Sequence, residues 1–501
     1  MIQLNDMVER IAAKGLLAGY KPGEPVQYDH LTADSREAGL TSCFVAVKGS
    51  SVDGHRFIPQ AMKQGVRVIV CESEPEESTS TRSDTAFVHV SDSRRALVEI
   101  ASMHVDDPGE ALKIVGVTGT NGKTTVATLS RHLLECVGYR TGFIGTTGYY
   151  DGRLMHGATQ TTPSPTRVYQ LLATMRDTGC AACSMELSSH ALDQHRIRIA
   201  DVDVAIFTNL TRDHLDYHGS ESCYLEAKTR LFEELSSDAT GVVNMDDPSG
   251  ASIKNSLSTR SITYGTDRTA DIRYELTHDS IHGLQMKIDG HDTRFRLSGA
   301  FNAANLAAAY GCGLALGMEP DRVLTALETA DPVPGRFEVI EGSNDRPVII
   351  DYAHTPDALE HVLRAIGGMK KKRRVWCVFG CGGNRDTGKR AQMGAIAERL
   401  ADRVIVTSDN PRFEDPLRII EDVCSGMVAP ENTARIVERE EAIAAAADGS
   451  LPGDIILIAG KGHETVQVIG DREIPFDDRL KVQRYFSSQE TLHHSGRPGK
   501  P

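Results

Sequence analysis

GVTGTNGKTT, residues Gly116–Thr125, decides how the middle of this 501-residue chain folds. It follows an apolar run, LKIVGV (Leu112–Val117), and leads into TTVATLSRHLLECVG, whose apolar residues recur at helical spacing. Strand, glycine-rich turn and helix in this order make a phosphate-binding loop. The glycines let the backbone approach phosphate oxygens, and the N–H groups at the helix start bind anions. Gly119, Thr120, Asn121, Gly122, Lys123, Thr124 and Thr125 are therefore candidate nucleotide contacts. Lys123 would reach the β- and γ-phosphates and Thr124 would ligate Mg²⁺. The spacing departs by one residue from G-x4-G-K-T, and reads G-x2-G-x2-G-K-T.

Outward from this loop, apolar runs alternate with helical stretches: CAACSMEL, VDVAIFTNL and TGVVNM. Such alternation marks a parallel sheet covered by helices. NAANLAAAYGCGLALG (Asn302–Gly317) is a helix of small residues, and DPVPGRF (Asp331–Phe337) reads as a linker. Beyond it, RPVIIDYA, RRVWCVFG, DRVIVTSD and GDIILIAG restart the alternation as a Rossmann-like open sheet. Before the loop, CFVAV and VRVIV suggest a smaller α/β unit, Ser73–Thr85 a solvated loop, and ALVEIASMHV a helix that DDPGE breaks. The fold class is thus α/β in three domains, 1–107, 108–333 and 334–501, with a frayed tail from Thr491.

Composition limits the function. Fifty-five basic residues against 69 acidic ones leave a net charge of −14, which argues against a nucleic-acid partner. Any anionic ligand must be held by a local cluster of donors. No stretch is apolar for the ~18 residues of a membrane span, and MIQLNDMVER lacks the apolar core of a secretory signal. Ten scattered cysteines show no disulfide framework and suit buried thiols in a reducing cytoplasm. Cys180-x-x-Cys183 has no second pair at zinc spacing, and KKKRR (Lys370–Arg374) reads as a solvated helix end. GCGGNR (Gly380–Arg385) lacks the full dinucleotide fingerprint.

Two of three further residues, Glu186 and His214, fall where parallel sheets bind ligands, beyond the carboxyl ends of strands. MELSSH puts Glu186 at a strand end, NLTRDHLDYH puts His214 after another strand, and YLEAKTRLF puts Lys228 on a helix. GTNGKTT, MELSSHAL, NLTRDHLDYHG, AKTRLF, GAFNAANLAAA, VPGRFE and DYAHTPD, in this order over nearly the whole chain, resemble the Mur ligases of peptidoglycan synthesis. DSRE…CFVAVKG…DGHRFI is similar to the UDP-sugar domain of the ligase that adds the third stem-peptide residue. GCGGNRDTGKR and SDNPRFEDP are similar to the branch that adds meso-diaminopimelate.

The resemblance implies an N-terminal UDP-binding domain, a central ATPase-like domain and a C-terminal amino-acid-binding domain. It implies ATP-dependent amide formation between meso-diaminopimelate and the D-Glu γ-carboxylate of UDP-N-acetylmuramoyl-L-alanyl-D-glutamate, through an acyl phosphate. L-lysine as the amino acid, or a folate-type polyglutamate ligase, is the alternative. Two Mg²⁺ ions are implied, one served by Thr124 and Glu186, the other by His214 and a Lys228 carbamylated to N6-carboxylysine. An unmodified ammonium about 4 Å from Mg²⁺ would cost about 8 kcal/mol at an effective dielectric of about 20, and a carbamate reverses that sign. Asn302, Arg336 and Asp351 are implied nucleotide contacts. Ser35, Ser50, Ser51, Val52, Thr161, Thr162, Ser188, Gln194 and Arg196 are implied for the UDP-muramoyl dipeptide; Gln160 stands where some relatives carry Asn. Arg385, Asp409, Asn410, Pro411, Arg412, Gly460 and Glu464 are implied for diaminopimelate. A bidentate Arg suits its distal carboxylate, and Asp409 and Glu464 suit its ammonium groups. A cytoplasmic monomer is expected, with Pro332–Arg336 as a hinge for domain closure.

Overall fold

The computed structural model describes residues 2–23, 27–49, 52–73, 84–342, 345–369 and 373–495. Three main sheets follow one another along the chain, with two two-stranded ribbons beside them among the described residues. The first takes the order Leu17–Lys21, Ala86–Val90, Val68–Cys71, Ser42–Val45, His30–Thr32, parallel except for its first strand. Its inner strands, SCFV and VIVC, are buried along their whole length, as parallel strands covered on both faces must be. Val68 and Val70 face the helices Leu4–Ala13 and Ser93–Met103, while Ile69 and Cys71 face Ile58–Lys63. A network of charges ties this unit to the next. Asp107 accepts from Arg10, from Ser102 Oγ (2.8 Å) and from Arg198 Nη1 (2.9 Å), and Arg198 also holds Asp201.

The central sheet has eleven strands, and three adjacent ones position the site: Ala182–Glu186, Lys113–Thr118 and Val204–Phe207. They run parallel and in register, so the loops that follow them open on one edge. Helices Lys123–Cys136 and Asn302–Ala315 cover one face through Val126, Leu129, Leu133, Leu306 and Tyr310. Helices Pro165–Asp177 and Glu221–Glu233 cover the other through Leu171, Leu172, Leu231 and Phe232.

The third sheet runs Glu338–Ile340, Val348–Asp351, Ile455–Ala459, Val375–Phe379, Arg403–Thr407, Ala434–Ile436, parallel except for its first strand. All four strands expected after the linker are present.

Several elements escaped the pattern reading. Ile272–Ser280 extends the central sheet by a short parallel pairing with Arg260–Gly265, Gly283–Ile288 and His291–Phe295 continue it antiparallel, and Gly148–Tyr150 with Met155–His156 extend its other edge. A hairpin, Val466–Ile469 with Arg472–Pro475, stands outside the third sheet. These strands are half-exposed and partly polar, so they show no continuous apolar run. The tail is also corrected: helix Asp478–Ser495 includes Thr491–Ser495, while residues 496–501 lie outside the described residues. All ten cysteines are free, but Cys136 and Cys223 are exposed rather than buried. Residues 370–372 of the KKKRR run, and 74–83 of the expected Ser73–Thr85 loop, lie outside the described residues. Arg374 pairs with Asp454 at 2.9 Å. Among the described residues, no helix is long and apolar enough to cross a membrane.

Beneath the third sheet, Arg439 and Asp478 form a bidentate ion pair with both side chains fully buried. Removing one member of such a pair strands a charge in a low dielectric and costs about 3–5 kcal/mol. Arg439→Met should therefore lower the urea midpoint of the C-terminal transition by that equivalent, and Arg439→Met/Asp478→Leu should recover most of the loss. Urea denaturation followed by circular dichroism checks both.

Candidate active site

The phosphate loop is shaped by its neighbours as much as by its glycines. Gly122 has φ +83°, and a Cβ there would stand 2.4 Å from Asn305 Oδ1. The segment after Val204–Phe207 grips the loop. Thr120 N–H donates to Asn209 O (2.8 Å), Asn121 N–H to Asn209 Oδ1 (2.9 Å), and Thr208 Oγ1 to Asn121 O (2.6 Å). Lys123 Nζ donates back to the carbonyls of Gly119 (3.0 Å) and Thr120 (2.8 Å). Thr124 and Thr125 are buried in the first turn of helix Lys123–Cys136.

Glu186 is the last residue of its strand and is fully buried. Its Oε1 accepts Thr146 N–H (2.7 Å), and its Oε2 accepts Thr124 Oγ1 (3.0 Å). The fold thus brings Thr124 and Glu186 together as two hard oxygen donors. His214 and Lys228 flank one ring: the His214 imidazole lies 6.3 Å from the Tyr224 centroid, and Lys228 Nζ 4.5 Å. Lys228 is 1% exposed and donates to Gly119 O at 2.9 Å. It has no carboxylate partner among the described residues. Burial, then the Lys123 ammonium, drive its amino group well below the ordinary lysine range. Burial likewise lowers His214, which stands at φ +53°.

The C-terminal unit closes this site. Arg336 Nη2 donates to Thr124 Oγ1 (3.0 Å), its guanidinium lies 4.6 Å from the Tyr352 centroid, and its Nε is buried without a partner. Asp351 accepts the N–H groups of Phe337 (2.7 Å) and Ala353 (2.8 Å), and burial raises its carboxyl to about 6. Asp357 accepts Asn121 Nδ2 (3.1 Å) and Thr211 Oγ1 (3.0 Å) across the junction. His463 Nε2 donates to Thr146 O (3.0 Å). Together they enclose a cavity of about 470 Å³ that Lys123, Glu186, His214, Arg336 and Asp351 all line. Asn302 does not line it. Its amide is turned inward, donating to Ser298 O (2.7 Å) and accepting from Asn305 Nδ2 (2.8 Å), and Asn305 faces the cavity. Thr208, Asn209, Thr211, Asn305 and Asp357 lie within the quoted stretches VDVAIFTNL, NLTRDHLDYHG, GAFNAANLAAA and DYAHTPD but were not singled out; only the folded chain shows that they reach the phosphate loop or its cavity.

A second set of residues continues from Glu186. The Thr146 hydroxyl lies 3.1 Å from the Thr161 hydroxyl, Thr162 Oγ1 donates to Glu186 O (2.7 Å), and Ser188 N–H donates to Thr162 Oγ1 (3.2 Å). Arg196 holds Gln194 Oε1 (2.9 Å), Gln160 Oε1 and the Thr162 carbonyl. Tyr217, which sequence reading missed, receives Gln194 Nε2 (3.0 Å) and donates to Asp193 (2.7 Å). Of the residues expected at the uridine end, Ser35 is buried, Val52 is exposed, and Ser50 and Ser51 lie outside the described residues. Arg94 bridges that end to this one, donating to Lys48 O (2.8 Å) and pairing with Asp193 (3.6 Å).

The third set converges beyond the carboxyl ends of the third sheet. Arg412 (φ +52°) donates through Nη1 to Gly383 O (2.9 Å), and a Cβ on Gly382 would stand 3.1 Å from Arg412 Nη1 and 3.9 Å from Arg385 Cγ. Neither guanidinium has a carboxylate partner among the described residues. Asn410 Nδ2 donates to Glu464 Oε2 (2.8 Å). Pro411 closes the turn, its carbonyl accepting Glu414 N–H (3.0 Å). Gly460 has φ +112°, and a Cβ there would stand 2.5 Å from Asp409 Oδ2. Asp409 is buried, which raises its carboxyl above the usual range. Lys461, another residue that sequence reading missed, pairs with Glu464 at 3.0 Å.

This geometry is shared with known proteins. Three family models match: Mur ligase family, catalytic domain (residues 27–105), Mur ligase middle domain (117–313), and Mur ligase, glutamate ligase domain (335–462). The UDP-N-acetylmuramoyl-L-alanyl-D-glutamate--2,6-diaminopimelate ligase of Parabacteroides distasonis is 40% identical over 98% of this chain and 100% of its own. Its namesake from Geobacillus kaustophilus is 40% identical over 90% and 93%. A solved structure of a ligase of that name superposes with a TM-score of 0.65 at 32% identity, over 92% of this chain and 95% of the other. The D-alanyl-D-alanyl ligase of Acinetobacter baumannii shares the fold alone, with a TM-score of 0.58 at 17% identity and 97% of each chain covered. With nearly its whole length accounted for, the chain belongs to the Mur ligase family of ATP-dependent amide-bond-forming ligases.

Proposed function

We propose that this chain joins meso-diaminopimelate to the D-Glu γ-carboxylate of UDP-N-acetylmuramoyl-L-alanyl-D-glutamate, with cleavage of ATP to ADP and phosphate, as a step of peptidoglycan synthesis. Full-length identity to ligases of that name supports it. The observation that carries the choice of amino acid is the Arg412 guanidinium beside Gly382, with the Arg385 side chain next to it, neither having a carboxylate partner among the described residues. L-lysine has no distal carboxylate to satisfy them; diaminopimelate has one.

A carboxylate does not react with an amine at neutral pH, so it must first be activated. Its oxygen attacks the γ-phosphorus of ATP, the bond to the β-phosphate oxygen breaks, and ADP leaves an acyl phosphate. The amine then attacks the acyl carbon and phosphate departs. The protein's work is positioning and charge. Lys123 and the helix start behind it hold the phosphates. Arg336, with a buried unpartnered Nε, reaches the nucleotide from the C-terminal unit. Thr161, Thr162, Ser188, Gln194 and Arg196 hold the dipeptide, and Ser35 and Val52 the uridine end.

The oxygens of Thr124 and Glu186 fit magnesium, a hard cation that favours oxygen ligands. Thr124 and Glu186 would hold one ion, and His214 with carbamylated Lys228 the other. Bound magnesium supplies the positive charge that lets carboxylate and triphosphate approach each other. Lys228 is suited to its modification: a buried, neutral amine attacks CO₂, forms the N–C bond and releases a proton. Residues 1–107, 108–333 and 334–501 act as three units hinged at Pro332–Arg336. The chain acts as a monomer in this reading, and free thiols suit a cytoplasmic location.

The reaction is tested by isotope. With ¹⁸O in the D-Glu γ-carboxylate, one labelled oxygen should appear in the released phosphate. Label that stays wholly in the peptide rules out the acyl phosphate.

Lys228→Ala should lower kcat by about 100-fold or more with the fold intact, since ligand-shell losses reach that size. The wild type incubated with ¹³CO₂ should show a carbamate ¹³C resonance that Lys228→Ala lacks. Short carboxylic acids should restore part of the variant's activity.

Arg412→Ala should raise the KM for meso-diaminopimelate by about 30-fold, equivalent to ~2 kcal/mol for a desolvated charged contact. The preference over L-lysine should narrow by a similar factor in competition assays.

A further inference from the structure

Lys461 is fully buried, yet it lies between two loops that carry the proposed amino-acid pocket. Its Nζ meets Glu464 Oε2 at 3.0 Å, Asn410 Oδ1 at 3.3 Å and Val466 O at 2.6 Å. An ammonium has three protons, and these three acceptors use all of them. Lys461 therefore has no donor left for a substrate.

What it controls is the direction of Asn410. Two donors meet one end of that amide: Lys461 Nζ, and the backbone N–H of Val468 at 3.0 Å. Neither can accept, so that end must be the oxygen. The NH₂ end then faces Glu464 Oε2 at 2.8 Å, which spends one of its hydrogens and leaves the other for a ligand. The same ammonium draws Glu464 into place and ties the root of the hairpin Val466–Ile469/Arg472–Pro475 to both. That hairpin in turn holds the Arg412 backbone, through Arg412 N–H to Val468 O (3.0 Å) and Gly470 N–H to Arg412 O (2.6 Å).

We infer that Lys461 is the positioning residue of the amino-acid pocket: it turns Asn410 so that only a donor faces outward, toward a carboxylate of the incoming amino acid, and fixes Glu464 beside it. This rests on the proposed reading that these loops hold meso-diaminopimelate.

Steady-state kinetics of the full-length enzyme test it. In Lys461→Met, the KM for meso-diaminopimelate should rise by about 10-fold or more, the range for lost supporting contacts, with KM for ATP and for the UDP-dipeptide changing less than about 2-fold. Asn410→Ala should cost much less in the Lys461→Met background than in the wild type, because the two act as one unit. An unchanged amino-acid KM, or equal rises for all three substrates, overturns the inference.

If Lys461→Met does not fold, Asn410 variants decide in the intact Lys461 protein. Asn410→Asp should be worse than Asn410→Ala for diaminopimelate, since one oxygen stays pinned and the other faces the substrate carboxylate. Equal effects, or a worse Ala, overturn it. A wild type that cannot be saturated with meso-diaminopimelate refutes the underlying reading instead.

Discussion

Cations and carboxylates are gathered at one edge of the central sheet. Lys123 and Arg336 line a cavity with the carboxylates Glu186, Asp213 and Asp351, and Lys228 is buried beside the phosphate loop. They meet because three parallel strands end side by side and the C-terminal unit adds Arg336 and Asp351. Burial makes their proximity consequential. Lys228, buried against a carbonyl and an aromatic face and near the Lys123 ammonium, has its amino group held well below the ordinary lysine range. Lys123 donates to two carbonyls of its own loop. A site of this kind is preorganised for polyanions: the cost of assembling its cations is met when the protein folds, not when the substrate reacts.

The second constraint is that the site is divided between two units. Three polar residues of the C-terminal unit close it with four hydrogen bonds, Arg336 on Thr124, Asp357 on Asn121 and Thr211, and His463 on Thr146, and Phe301 packs on Phe337 beside them. Junctions that mix polar contacts with limited apolar packing resemble transient interfaces more than a domain core. Each contact also lands on a residue with a second task. Thr124 binds Glu186, Asn121 belongs to the phosphate loop, and Thr146 holds both oxygens of Glu186. The arrangement of the C-terminal unit and the charge of the central one are thereby linked through the same few hydroxyls and amides.

Much of this was legible in advance because the chemistry is concentrated in short motifs. Lys123, Thr124, Glu186, His214 and Lys228 each sit beside a strand end or on a helix that periodicity reveals. What escaped was supportive. Asn302 and Asn305 lie one turn apart on the same helix, and nothing in NAANLAAA says which faces the cavity; packing against Ser298 turns Asn302 inward. Asp357 lies well over two hundred residues from Asn121 in the chain, and only the fold makes them partners. The antiparallel strands at both edges of the central sheet were missed because half-exposed strands carry weaker patterns than buried ones.

By itself the sequence determined the kinds of element and the chemistry each could carry. Glycines permit a tight loop, continuous apolar runs make buried strands, and carboxylate, imidazole and amine are set by residue type. The tertiary structure decided charge state, orientation and partnership. A lysine's proton depends on how much water and which charges surround it, and an amide's direction depends on which donors meet it. Such quantities arise from groups distant in the chain and adjacent in space, so no local reading of the chain contains them.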